Sequence, residues 1–511
     1  MHVHNNSHKI IDGLTTAFYV AFSILMLGLC TLQASIFGFL TSVGSVLIFS
    51  VLLLMTVVAD SLTNRYRINH EKLWQLLTVG TFAVLLAYIS CQMTCALPSD
   101  TQILYDSVAA LLEHGTLDIP YDFSVFYPDL GFYTLADYYC RCHNNIAMLL
   151  VLTAIYSVGS LFGITAGSIY GQSLAVFVTA ICVAVAVHYL CKSAQYIFKG
   201  TNTYFMCLAI NILFLSYYYS CPNFYTDIWI LCPVACGFYC SLKFYSTKKK
   251  SYLFLCSVLW AIGSQLKITA AIPIIAFGIF IIFEKENSFP NKIIHLLWLL
   301  IPFAVLIVGF QTWYRNSSMF DFSRHEELYY PFTVWISYGS HGLGGYHYED
   351  SLLAYHTPFH LRKQVMANHI KEIFASYTPS EYFQFLKNKL SFIWGDGLFE
   401  GGTYAEWALF ENWTNFFTNS ECWGKGFAQL WSNSFSLMLS ACGAVTAILQ
   451  IRKRDNHWLL FINIIAMGLF LYLCIFEGAP RRAIPAVLMF MFDAVYLLKK
   501  FSNHIRKKAV K

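Results

Sequence analysis

Asp100 stands in the stretch PSDTQILYDSVAALLEHG (98–115), between one strongly apolar segment and another. Ile103, Leu104, Val108, Leu111 and Leu112 recur at helical spacing and predict a short helix lying along a membrane surface. An acid at its start serves either as an N-cap, worth about 1 kcal/mol, or as a general base at the water boundary; one residue can do both. Asp227, in FYTDIW, heads a second apolar run. A carboxylate there is again either a cap or a group that needs a partner or a use, because a charge at a helix centre in a bilayer costs roughly 2.5–3.5 kcal/mol. Lys267, in GSQLKITAAIP, either snorkels or aims its ammonium at a lipid phosphate. FEGAPRRAIP (476–485) sets Arg481 and Arg482 beside Glu477. Guanidinium forks match phosphate oxygens, although Glu477 could instead neutralise one of them.

Two further stretches carry weaker signals. ISYGSHGLGGYHYEDSLL (336–353) holds His341, His347, Glu349 and Asp350. A polar loop surface is expected there in preference to a metal site. FIWGDGLFEGG (392–402) holds Trp394, Asp396 and Glu400, and aromatic rings beside acids suit sugars, whose faces stack while their hydroxyls are held. Cys232, Cys236 and Cys240 form an i, i+4, i+8 stripe with no histidine or acid to complete a metal site, so a packing face is expected. Cys95, Cys140 and Cys142 flank the first acidic loop and could pair.

These residues must be placed by a membrane scaffold. Of 511 residues, 57% are hydrophobic and only 12% charged, against roughly 25% charged in soluble proteins. The class is an all-α polytopic membrane protein. The net charge of +5 resides in short basic clusters between apolar runs, a topology signal and no argument for nucleic acid. The polar start MHVHNNSHK and the full-length first run give no sign of a cleavable signal.

About thirteen apolar runs are expected as helices: near 11–30, 36–59, 72–95, 144–164, 173–191, 204–220, 227–246, 252–266, 268–284, 293–312, 429–450, 458–476 and 483–498. The clusters NRYR, TKKK, RKR and the tail KK…IRKK belong on the cytoplasmic side. Thirteen crossings cannot start and finish on one side, so one run between 144 and 284 is re-entrant, half-length or not a span, and the pair split by Lys267 is a suspect; 12–14 spans are expected. The organisation is then N-terminal helices (1–95), a first outer loop (96–143), a transmembrane core (144–312), a large extracytoplasmic loop or lid (313–428), and C-terminal helices with a basic tail (429–511). The first loop carries seven acids against the single base Arg141.

In this order, the motifs resemble the GT-C superfamily of membrane glycosyltransferases. More narrowly, they resemble its bacterial branch related to the protein O-mannosyltransferases and lipid A aminoarabinose transferases. The matching elements are an early acid followed by Y…A…L…G and YPDLG (Asp100, Tyr105, Ala109, Gly115, Tyr127, Pro128, Gly131), a YTD turn (Asp227), the lysine of LKIT (Lys267), GLGG…ED (Gly344, Gly345, Asp350) and a late E…RR…P turn (Glu477, Arg481, Arg482). The likeness runs from about residue 75 to 498. It departs in having two apolar runs before the helix that leads into the acidic loop, in lacking adjacent paired acids, with Asp106 as the nearest second acid, and in reading RRA where RY is usual.

The resemblance implies a polyprenyl-phosphate sugar donor used at the outer face of the inner (plasma) membrane, both termini being cytoplasmic. Asp100 would be the base. Lys267, Arg481 and Arg482 would hold the donor phosphate. Tyr105, Asp106, Tyr127, Asp129, Asp227, Asp350, Trp394 and Glu477 would line the substrate site. Protein cations can stabilise the leaving phosphate, so no metal or other cofactor is expected. The acceptor would be a hydroxyl of a glycan, lipid or protein, and displacement from the opposite face would invert the anomeric centre. An O-antigen polymerase or ligase, or a lipid-linked glycan flippase or transporter, are the competing classes. In a eukaryotic endoplasmic reticulum setting, the sequons at Asn316 and Asn412 would be glycosylation sites.

Overall fold

The computed structural model describes residues 2–65, 70–284 and 288–509. Among these residues the chain is helical throughout, and β-structure is confined to two isolated bridges, Cys95–Ala408 and Pro120–Thr134. Among the described residues, eight helices are long and apolar enough to cross a membrane. Of the basic stretch NRYR, at 64–67, Tyr66 and Arg67 lie outside the described residues.

The first two expected runs fall within one 64-residue helix, His2–Arg65, which turns at Gly38 (φ 80°, ψ −174°). Only glycine takes that backbone conformation without strain. Helix Phe289–Asn316 buries Leu299 and Tyr314, while Leu297, Leu300, Ile301, Val305 and Val308 stay exposed. In water that face would be an outsized apolar patch; in a bilayer it is the lipid-facing side.

Two of the expected runs fall short of a span, and eight helices among the described residues stand where 12–14 spans were expected, the first of them holding two runs. The run 204–220 is broken into Thr201–Ile212 and Ser216–Ser220. The first piece has 12 residues, about 18 Å, and falls short of a hydrocarbon core of about 30 Å. The break is polar: the Tyr217 hydroxyl donates to Asn211 Oδ1 at 2.8 Å. The apolar helix Ile268–Phe283 is also shorter than a full span.

The segment 313–428 is folded rather than irregular. Helices Phe332–Tyr338, Tyr348–His356, Phe359–Ser376 and Pro379–Trp394 follow one another, with a small core of Tyr330, Val334, Tyr338, Ala354 and Met366. Buried Arg362 ties this unit together by donating to the carbonyls of Glu327 (2.8 Å) and Thr357 (3.0 Å). Arg324 fastens the unit to the first loop, with Nη1 2.7 Å from Asp137 Oδ2 and Nη2 2.9 Å from the Gly131 carbonyl. The cysteines Cys95, Cys140 and Cys142 are free thiols, so the pairing considered from sequence is not made.

Candidate active site

Helix Ser99–His114 starts two residues earlier than a capping role for Asp100 requires. Pro98 occupies the N-cap position with extended backbone (φ −61°, ψ 158°), and Asp100 lies in the first turn. Its carboxylate caps nothing. Oδ1 accepts the hydroxyls of Tyr127 and Tyr138, each at 2.8 Å, and Oδ2 accepts that of Tyr225, also at 2.8 Å. Burial, and then the charge of Asp100, push the phenols of Tyr127 and Tyr138 well above the ordinary tyrosine value, which keeps them as donors. The helix buries Ile103, Leu104, Val108 and Leu111 as its periodicity predicted.

Tyr225 leads from this carboxylate to a cluster of cations. Its ring lies 5.2 Å from the Arg481 guanidinium and 5.8 Å from Lys267 Nζ. Asp227, two residues on, accepts from Lys267 through Oδ1 and from Arg481 Nε at 3.2 Å through Oδ2. Arg481 Nη1 reaches Glu400 Oε2 at 2.6 Å and the Tyr404 hydroxyl at 3.1 Å. Arg482 turns back onto Glu477, 3.0 Å from Oε2 and 2.5 Å from the carbonyl. Three cations and three acids thus balance in a largely buried cluster, the condition under which such charges are tolerated. A concavity between these groups is lined by Asn223, Tyr225, Asp227, Tyr404 and Arg481.

Helix ends deliver all of these residues. Asp227 opens Thr226–Trp229, Lys267 ends Lys250–Leu266, and Arg481 lies in the short turn Pro480–Ala483 ahead of Ile484–Ala509. Glu400 is held by backbone strain. Phe399 and Glu400 both have positive φ (53° and 70°), which costs of order 1–3 kcal/mol per residue. Asp396 stabilises the turn by accepting from the amides of Leu398 (2.9 Å) and Glu400 (2.8 Å).

Other expected residues sit elsewhere. Tyr105 is a core residue, its ring packed on Tyr156 and Phe224. Trp394 is fully buried among Phe399, Phe470 and Phe490, and has no face free for a sugar. Asp106 accepts from Gln102 (2.9 Å) and Tyr121 (2.7 Å), apart from the Asp100 tyrosines. Asp129 accepts from the Tyr348 hydroxyl at 2.6 Å on the outside of the molecule. Asp350 lies in the large loop among histidines. Burial pushes its carboxyl up, but hydrogen bonds from His341 and Ser337 outweigh this and hold it at about 2.

Sequence reasoning passed over three groups. Tyr138 and Tyr225 gave only the signal of lying near acids. Lys389 is fully buried and donates to the carbonyls of Gly339 (2.6 Å), Phe476 (2.8 Å) and Cys474 (3.0 Å). It bolts the large loop to the backbone just ahead of Glu477, and nothing in an amphipathic helix pattern marks it.

Residues 168–310 match the model of a family described as dolichyl-phosphate-mannose-protein mannosyltransferase. That stretch takes in Asp227 and Lys267 but neither Asp100 nor Arg481. No curated protein matches the chain in sequence. Among solved structures, the chain is similar to the crystal structure of ArnT from Cupriavidus metallidurans bound to undecaprenyl phosphate. The identity is 13%, the TM-score is 0.35, and the alignment covers 83% of this chain and 76% of that one. A likeness at that level fixes no residue roles.

Proposed function

We propose that the chain is a membrane glycosyltransferase of the GT-C type that moves a sugar from a polyprenyl-phosphate donor to an acceptor hydroxyl at the outer membrane face, with inversion; the family match over 168–310 and the all-helical architecture support this reading. The observation that carries this reading is Tyr225, whose hydroxyl is on Asp100 and whose ring faces Arg481 and Lys267. One side chain spans the distance between a base and a phosphate site. The family's description supports the donor class, since dolichyl phosphate mannose is a polyprenyl-phosphate sugar.

The acceptor oxygen attacks the anomeric carbon as the carbon–oxygen bond to the phosphate breaks. Polyprenyl phosphate leaves with the electron pair, and the acceptor proton passes to Asp100. The transition state resembles an oxocarbenium ion. The acceptor hydroxyl therefore becomes acidic as its bond to carbon forms, and a positioned carboxylate can take its proton. Lys267, Arg481 and Arg482 offset charge on the leaving phosphate, which competes for them with Asp227, Glu400 and Glu477. The reading requires no metal at this phosphate site.

Topology supports the outer face. Helices Leu231–Thr247, Lys250–Leu266 and Ile484–Ala509 each have a site residue at or beside one end, and Lys248–Lys250 or the basic tail at the other. The positive-inside rule puts the basic ends in the cytoplasm and Asp100 with its partners across the bilayer. The test is to supply purified protein in lipid with a panel of polyprenyl-phosphate sugars and candidate acceptors. Transfer with inverted anomeric configuration supports the reading; retention, or no transfer from any donor by folded protein, overturns it.

A further inference from the structure

The large loop gathers three histidines around one buried carboxylate, and the proposed transfer reaction uses none of them. Asp350, 2% exposed, sits in the first turn of Tyr348–His356. His341 Nε2 lies 2.9 Å from its Oδ2, and His369 Nε2 lies 3.2 Å from its Oδ1. His347 Nδ1 is 3.4 Å from Oδ1; that nitrogen is buried and has no hydrogen-bond partner. The rings of His341 and His347 stand 4.1 Å apart. One carboxylate needs one cationic partner, and three imidazoles are more than neutralisation calls for.

We propose that His341, His347, Asp350 and His369 form a structural site for a divalent transition metal, with zinc the best fit. The donor set is three imidazole nitrogens and one carboxylate oxygen, the mixture zinc takes in tetrahedral sites. Zinc bonds to such ligands are about 2.0–2.1 Å, which puts tetrahedral ligand atoms about 3.3 Å apart. To Oδ1, the spacings from His369 and His347 are 3.2 and 3.4 Å, close to that value, while His341 lies 2.9 Å from the other oxygen, Oδ2. The ligand atoms of His341, Asp350 and His369 all lie within 4.8 Å of one another. Ser337 Oγ donates to Asp350 Oδ2 at 2.5 Å and acts as the outer partner that orients a metal-bound carboxylate.

The site joins three segments: the turn after Phe332–Tyr338, helix Tyr348–His356 and helix Phe359–Ser376. Its position gives it a purpose. Ser351, next to Asp350, accepts from Arg141 Nη2 at 3.3 Å. The Arg141 guanidinium lies 5.5 Å from the centre of the Tyr127 ring, and Tyr127 donates to Asp100. A metal would lock the wall against which the Asp100 tyrosines rest.

The experiment is metal analysis of the full-length protein, purified in lipid without chelator, followed by replacement with Co²⁺. We expect zinc near one equivalent per chain, and visible absorption bands of a tetrahedral cobalt ion after exchange. His369→Gln and His341→Gln should lose that equivalent, and Ser337→Ala should weaken Zn²⁺ binding roughly 10–100-fold. His356→Gln, on the same helix but outside the cluster, should keep the metal. Should the ligand variants not fold, chelation of the wild type must lower its melting temperature and added Zn²⁺ must restore it. A wild type that takes up neither Zn²⁺ nor Co²⁺, or ligand variants that retain full metal, would overturn the site and leave a histidine–carboxylate hydrogen-bond cluster. Because none of these readouts is sugar transfer, the metal site and the proposed reaction fail independently.

Discussion

The hydroxyl of Tyr225 donates to Asp100 at 2.8 Å while its ring faces the Arg481 guanidinium at 5.2 Å. Base and phosphate site are therefore coupled through one aromatic residue, and its two halves can be removed separately. Tyr225→Phe deletes the hydroxyl and keeps the ring. A hydrogen bond to a charged group is worth about 1.5–3 kcal/mol, so kcat should fall roughly 10–100-fold with little change in donor KM. Tyr225→Ala should raise donor KM as well. Equal kinetics for Phe and Ala would show that the ring does nothing for the phosphate.

Asp227 lies between two buried cations, Lys267 and Arg481. Asp227→Asn strips their counter-charge, and breaking a buried pair from one side costs about 3–5 kcal/mol. Its melting temperature should drop sharply. Asp227→Asn combined with Lys267→Met should melt closer to the wild type than Asp227→Asn alone, because the charges are again balanced. Additive losses in the double variant would refute the coupling.

Arg481 joins Asp227 through Nε and both Glu400 and Tyr404 through Nη1. Lysine keeps the charge but cannot span three acceptors. Arg481→Lys is expected to raise donor KM about tenfold or more while leaving acceptor KM close to that of the wild type. The contrary result, a change confined to the acceptor, would move Arg481 out of the phosphate site.

Lys389 donates to three backbone carbonyls, and Gly344 (φ 72°) packs directly against its side chain. Lys389→Met leaves those acceptors without a buried donor, at about 1–3 kcal/mol each. We expect the large loop to loosen first, seen as faster amide exchange over 335–394 and at Glu477. Unchanged exchange there would mean that other contacts hold the loop.

Much of the fold was legible because apolar length is read directly from composition. All thirteen runs are helical in the described residues, but the break after Ile212, bridged by the Tyr217–Asn211 hydrogen bond, carries no mark in apolar length. Charged residues in apolar surroundings were also legible. Asp227, Lys267, Arg481, Arg482 and Glu477 stand out because a bilayer makes an unpaired charge costly, and the structure joins them in direct ion pairs. Tyrosines carry no such mark in a chain with 33 of them, so Tyr138 and Tyr225 were hidden. Trp394 misled for the same reason: aromatic character alone does not separate a sugar platform from a core ring. The histidines around Asp350 are nine to nineteen residues from it in two cases, and only the folding of the large loop brings them together.

The central claim is that Asp100 takes the acceptor proton while a lipid phosphate leaves. It is tested most directly by release of free polyprenyl phosphate from a polyprenyl-phosphate sugar, measured for the wild type and Asp100→Asn in the same lipid. Asparagine is nearly isosteric; its Oδ1 still accepts the Tyr127 and Tyr138 hydroxyls and its NH2 can donate to the Tyr225 oxygen, so the variant should fold. The account predicts acceptor-dependent release by the wild type and loss of at least about 100-fold in the variant, from the usual range for a general base. Wild-type rates in Asp100→Asn would contradict it.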